Sequence, residues 1–120
     1  MSRNYEDFTI NQGTDIAIEL HCTEPDGSVK DLNNHSITAY MKRNYADSAN
    51  DPDTVQFTGT ISDATGGIAT ISLTNTQTDA LNPRGRYVYD VELSFVDSDG
   101  DTVIERLLEG QIEVSPSATK

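Results

Sequence analysis

The chemically versatile residues of this chain are two histidines, one cysteine and two groups of closely spaced aspartates. His21 and Cys22 are neighbours, and His35 stands apart, following Asn34. A nucleophile needs a base within reach, and a zinc site needs several imidazole or thiolate ligands converging on one point. Adjacent residues on an extended strand point to opposite faces, so His21 and Cys22 cannot share a metal without distortion. Neither histidine belongs to an H-x-x-H or C-x-x-C spacing. The turn Asp97-Ser98-Asp99-Gly100-Asp101 partly matches a calcium loop, in which hard oxygen ligands suit Ca²⁺. The full D-x-D-x-D-G-x5-E spacing fails, because Phe95 stands where the first ligand belongs. A hairpin turn built on Asp-Gly accounts for the same residues. Asp47, Asp51 and Asp53 read equally well as acids of a solvated loop. The chain therefore reads as a non-enzyme, with no catalytic residue, cofactor or metal expected.

Contact chemistry is better represented. Tyr40 falls on the polar side of its segment and Tyr45 in an acidic loop. Tyrosines near loops can anchor interfaces, although half-buried tyrosines with a wet hydroxyl are as common. Lys42 with Arg43, and Arg84 with Arg86, form small basic pairs. Tyr40, Lys42, Arg43, Tyr45, Arg84 and Arg86 are the candidate partner contacts, on the surfaces 42–53 and 82–86.

The elements that must position these groups are strands. In 86–96, Tyr87, Tyr89, Val91, Leu93 and Phe95 alternate with Arg86, Val88, Asp90, Glu92 and Ser94. Such a period of two buries one face and wets the other. The same grammar predicts strands over 7–11, 14–22, 36–42, 54–62, 68–74 and 102–114. Cys22 shares a face with Ile16, Ile18 and Leu20, which makes it a buried structural thiol. Val55, Phe57 and Ile61 face one way within 54–62, and Ala69, Ile71 and Leu73 face inward from 68–74. Glu24-Pro25-Asp26-Gly27, Asp63-Ala64-Thr65-Gly66-Gly67 and Asp97-Ser98-Asp99-Gly100 carry turn chemistry. Residues 75–81 read as one helical turn, with Asn75 or Thr76 as its N-cap and Asp79 early in it. Gly110 marks a bulge or bend in the last strand, and 44–53 reads as a mobile loop.

About seven strands without a long helix imply an antiparallel β-sandwich, since one sheet alone would leave its apolar face wet. The 120 residues are expected to form one such domain, with flexible ends at about 1–5 and 116–120. The hydrophobic fraction is only 35%, yet the apolar residues are gathered into alternating runs, which argues against disorder. Twenty acids against eight Lys and Arg give a net charge of -12, which repels nucleic-acid phosphates. With one cysteine, no intramolecular disulfide forms. No stretch has the length and apolarity of a signal peptide or a transmembrane helix, so synthesis in the cytoplasm without export is expected.

The run from Phe8 to Leu20, F-T-I-N-Q-G-T-D-I-A-I-E-L, resembles the opening of immunoglobulin-like β-sandwich domains of tailed-phage virion proteins. Asp26-Gly27 with Asp31-Leu32, then I-T-A-Y-M-K-R from Ile37, continue the match. So do G-x-A-x-I-x-L from Gly67, the stretch Thr78 to Gly85, Y-V-Y-D-V-E-L from Tyr87 and L-x-x-G-x-I-x-V from Leu107. Together they are similar to the N-terminal domain of phage baseplate upper proteins and to small single-domain virion proteins. The resemblance implies a non-enzymatic structural protein of a virion. It would assemble by protein–protein contacts in the tail, neck, baseplate or fibre-attachment region, with other virion proteins or copies of itself as partners. No membrane or nucleic-acid partner is implied, and the family brings no catalytic residues. Baseplate upper proteins carry a fibre or receptor-binding region after this domain, and the present sequence ends at Lys120. A capsid decoration protein would use the same fold. So would a carbohydrate-binding sandwich, although the absence of tryptophan counts against aromatic sugar platforms.

Overall fold

A computed structural model describes residues 4–48 and 50–118. Alternation of side chains produces the strands in chain order: β1 (Asn4–Tyr5), β2 (Phe8–Asn11), β3 (Ile16–His21), β4 (Ser36–Lys42) and β5 (Val55–Gln56). After these come β6 (Thr58–Asp63), β7 (Ile68–Leu73), the short helix α1 (Asn75–Asp79), β8 (Arg86–Val96) and β9 (Thr102–Ser115). The larger sheet has the order β1-β9-β8-β4-β5, with β2 also on β9, and the smaller has β3-β7-β6. Two half-wetted sheets bury their apolar faces against each other, as the alternation requires. Tyr87, Tyr89, Val91 and Leu93 of β8 are at most 1% exposed; the first three join Ile71 and Leu73 of the opposite sheet in the main core, and Leu93 packs with Cys22, Leu32 and Ala69. Phe95 is less enclosed, at the hairpin end, where its ring lies 4.7 Å from that of His35.

Several expectations need correction. Residues 54–62 are not one strand: β5 pairs with β4 in the larger sheet, whereas β6 pairs with β7 in the smaller. The crossing falls at Phe57, whose amide donates to Ala39 O while its ring fills the core. With β1 added, the described residues form nine strands where about seven were expected. The sandwich is not wholly antiparallel either, because β1 and β2 run parallel to β9. Parallel pairing leaves the N-terminal segment extended along the edge of β9, and Asn4 and Tyr5 of the expected flexible end are paired there. The remainder of that end, and residues 119–120 of the other, lie outside the described residues.

Local chemistry differs in two further places. Thr74, not Asn75 or Thr76, caps α1: its hydroxyl accepts from Gln77 N while Gln77 Oε1 accepts from Thr74 N. This reciprocal capping box needs Gln three residues after Thr, and Asp79 consequently ends the helix instead of opening it. The irregularity in the β8–β9 pair falls at Val91/Glu92, across from Leu107, not at Gly110. Gly110 is required for another reason, because a Cβ there would sit 1.8 Å from Glu6 O. Of the two glycines closing the β6–β7 turn, only Gly67 adopts positive φ, at +70°. Among the described residues no helix is long and apolar enough to cross a membrane.

Candidate functional site

The larger sheet turns its second face to solvent, and its register decides which side chains meet there. Tyr40 stands opposite Gln56 and Asp90, Asp90 opposite Glu109, and Glu109 opposite Tyr5. One row of outward side chains thus crosses five strands. Next to it lie Thr38, Glu92 and Arg106 on one side, and Lys42, Val88 and Gln111 on the other. The extra residue at Leu107 shifts the phase of β9, and that shift brings Arg106 opposite Glu92. Arg106 Nη2 lies 3.4 Å from Asp90 and 3.8 Å from Glu92, and its Nη1 lies 4.0 Å from Glu109.

The loop after β4 folds back over this row. Lys42 Nζ donates to Asp47 O at 2.8 Å, and Asp47 Oδ2 accepts from Asn44 N. The ammonium of Lys42 stands 5.9 Å from the centre of the Tyr40 ring. Between loop and sheet is a groove of about 200 Å³ lined by Tyr40, Lys42, Tyr45, Val88, Asp90 and Glu92. Tyr45 and Tyr5 remain 55% and 59% exposed. Partial burial, then Glu109, Tyr5 and Asp90, push the Tyr45 phenol above its usual pKa, with Arg106 opposing them.

Of the candidate contacts, Tyr40, Lys42 and Tyr45 therefore come together. Arg86 lies further along the same face, donating to Gln111 Oε1 at 3.0 Å and 3.8 Å from Glu113. Arg43 departs from the group. Its guanidinium lies 4.8 Å from the centre of the buried Tyr87 ring and donates to Arg84 O. Tyr87 Oη in turn accepts from Asn82 N at 2.9 Å, so ring and guanidinium together fasten the loop before β8. Arg43→Met is expected to lose about 1–2 kcal/mol of stability through the charged hydrogen bond and the stacking. Denaturant unfolding of the two proteins would measure the difference. Arg84 remains exposed in that loop.

Sequence reading overlooked Tyr5, Asp90, Glu92, Arg106 and Glu109 as a group. Asp90 and Glu92 look like ordinary wet-face residues of an alternating strand, and only the strand register reveals their neighbours.

Of the acids weighed for calcium, Asp97 and Asp51 brace their own turns, and the carboxylates of Asp97, Asp99 and Asp101 lie within 4.8 Å of one another. Asp97 Oδ1 accepts from Asp99 N at 3.0 Å and from Asp101 N at 2.9 Å, which closes the β8–β9 turn. Asp51 Oδ1 accepts from Asp53 N, and Ser48 Oγ from Asn50 N, within the 44–53 loop. Ala49 of that loop lies outside the described residues. His21 is exposed and 2.7 Å from Glu19, whereas Cys22 is 2% exposed, so the two do occupy opposite faces.

Behind the outer face, Tyr89 Oη donates to Glu6 O at 2.7 Å and ties the N-terminal segment to the core. Burial, followed by Glu6 and Asp7, raises the Tyr89 pKa far above that of a free phenol. The folded state thus favours the protonated phenol. That contribution is complete below the unfolded pKa of about 10 and is lost as pH rises from there towards the folded value. Wild-type stability should accordingly fall more steeply above pH 10 than that of Tyr89→Phe, as thermal unfolding across pH would record.

No family model matches the chain, and neither does any curated protein sequence. Among solved structures the chain is similar to murine CRIg, with a TM-score of 0.51 and 16% identity over 92% of each chain. A likeness at this identity concerns the fold alone, and it agrees with the two packed sheets. The chain is an immunoglobulin-like β-sandwich.

Proposed function

We propose that this chain is a non-enzymatic structural protein of a tailed-phage virion, assembling through protein contacts in the tail, neck, baseplate or fibre-attachment region. The observation that carries the reading is where the resembling motifs fall. Phe8 to Leu20 supplies β2, the Gly13 turn and β3, and the motifs beginning at Ile37, Gly67, Tyr87 and Leu107 supply β4, β7, β8 and β9. They are the frame of an immunoglobulin-like sandwich, and that is the part the virion domains would share. The outer face presents Tyr5, Tyr40 and Tyr45, and tyrosine is enriched at protein interfaces. A net charge of -12 opposes direct contact with nucleic acid, and the partners are other virion proteins or further copies of the chain.

Cryo-electron microscopy and protein mass spectrometry of phage particles purified from cells that produce this chain test the assignment. Density on the tail, neck or baseplate supports it. Density repeated over the capsid lattice makes the chain a decoration protein. Absence from every particle overturns it and directs attention to sugar binding, for which a glycan array is the assay.

A further inference from the structure

The groove beneath the 44–53 loop has a chemical bias of its own. Its lining joins Tyr40 and Tyr45 to Asp90 and Glu92, with Lys42 as its one cation. The π faces of tyrosines attract cations, and carboxylates pair with guanidinium groups through directed, charge-assisted hydrogen bonds. The face already accommodates one guanidinium, that of Arg106, at 3.4–4.0 Å from its acids. Asp90 and Glu92 nevertheless keep 26% and 38% of their side-chain surface accessible, so an incoming group can reach them. Three carboxylates, Asp90, Glu92 and Glu109, thus face two cations, Lys42 and Arg106, on this part of the molecule.

We propose that this face is a docking surface for an arginine-bearing segment of a protein partner, whose guanidinium enters between Tyr40 and Tyr45 above Asp90 and Glu92. Charge complementarity selects the partner's basic character, and a planar guanidinium, which stacks on a ring while its fork of donors reaches carboxylates, suits the site better than a compact ammonium. The inference stands apart from the virion reading, since it concerns what the isolated chain binds and not where it resides.

Because the whole chain is acidic, a cationic probe could adhere by charge alone. The test must separate that from a built site. The full chain would be titrated with a tetra-arginine peptide at about 150 mM salt, where exposed charges more than about 8 Å apart are largely screened. Amide NMR shifts would locate the probe and give its Kd. The expected result is that the largest shifts fall at Tyr40, Tyr45, Asp90 and their strand neighbours. The charge-neutral double variant Tyr40→Ala/Tyr45→Ala should weaken binding about tenfold while remaining folded by its own spectrum. A tetralysine peptide should bind more weakly than tetra-arginine. Asp99→Asn/Asp101→Asn, on the distant turn, should leave Kd unchanged. Shifts centred on that turn, an unaltered Kd in the tyrosine variant, or no saturable binding would each overturn the proposal.

Discussion

Gly110→Ala is expected to strip the N-terminal strands from the larger sheet while the rest of the sandwich stays folded. The new methyl group would lie 1.8 Å from Glu6 O and 2.7 Å from the Glu6 carbonyl carbon, both rigid backbone atoms. It would also sit 3.1 Å from Tyr89 Cε1, which blocks a retreat in that direction. Glu6 is held there by two bonds, Glu6 N to Glu109 O at 2.9 Å and Tyr89 Oη to Glu6 O at 2.7 Å. Relief therefore means giving up both. An overpacked site costs roughly 1–3 kcal/mol, and an unpaired buried hydroxyl adds a comparable amount, so a loss of about 2–4 kcal/mol is expected. Native-state hydrogen exchange distinguishes local from global damage. Loss of protection confined to β1, β2 and the outer side of β9 is the expected pattern. Unchanged protection in β2 would mean that the segment can be re-seated, and that Glu6 does not anchor it. Tyr5 belongs to the detached segment, so the acidic outer face would lose one of its three tyrosines as well.

Gly110 also shows what could and could not be read in advance. Its position within an alternating strand signals something unusual, because glycine weakens a strand unless another group must come close. The identity of that group depends on β1 and β2 running parallel to β9, and no local pattern records which strands will be neighbours. The inward faces of β7 and β8 were legible for the opposite reason. Ile71, Leu73, Tyr87 and Val91 are buried whatever their partners, because alternation alone fixes the side from which water is excluded. The segment 54–62 failed in an instructive way. Val55, Phe57 and Ile61 keep a continuous period of two, yet Phe57 is where the chain passes from one sheet to the other. Periodicity reports burial, not hydrogen-bond partners, and a strand that changes sheets can preserve it. The candidate contact face divides along the same line. Tyr40, Lys42 and Tyr45 are near in sequence and were found together. Arg106 reaches Asp90 and Glu92 only through the extra residue at Leu107, a feature that alternating residues on either side do not betray.

Gly67→Ala should destabilise the whole domain more than the same change at Gly27, although both glycines have positive φ. At Gly27, φ is +91° and no atom lies within 4 Å of the added methyl group, so only the backbone preference is disturbed. Left-handed backbone costs a side-chain-bearing residue about 1–2 kcal/mol. At Gly67, φ is +70° and the methyl group meets Cys22 O and Lys30 O at 2.8 Å each, with Val29 Cγ1 at 2.9 Å. Two backbone carbonyls on separate segments cannot both withdraw without opening Cys22 N to Gly67 O, 2.8 Å, and Lys30 N to Cys22 O, 3.0 Å. Steric conflict of this kind adds roughly 1–3 kcal/mol, for a total of about 2–5 kcal/mol. That is a large share of the 5–15 kcal/mol typical of a domain. Cys22 provides an internal reporter. Its thiol is buried beside Leu32, Ala69 and Leu93, and burial raises its pKa against the opposing charge of Lys30. Native protein should therefore react slowly with a thiol reagent at neutral pH, since only exposed thiolate reacts. Gly67→Ala should speed the reaction and lower the unfolding midpoint together, whereas Gly27→Ala should lower the midpoint slightly and leave the thiol protected. Equal losses at the two glycines would mean that the carbonyls around Gly67 yield freely. The close crossing of the 22–30 segment over the β6–β7 turn would then contribute nothing beyond the conformation of one residue.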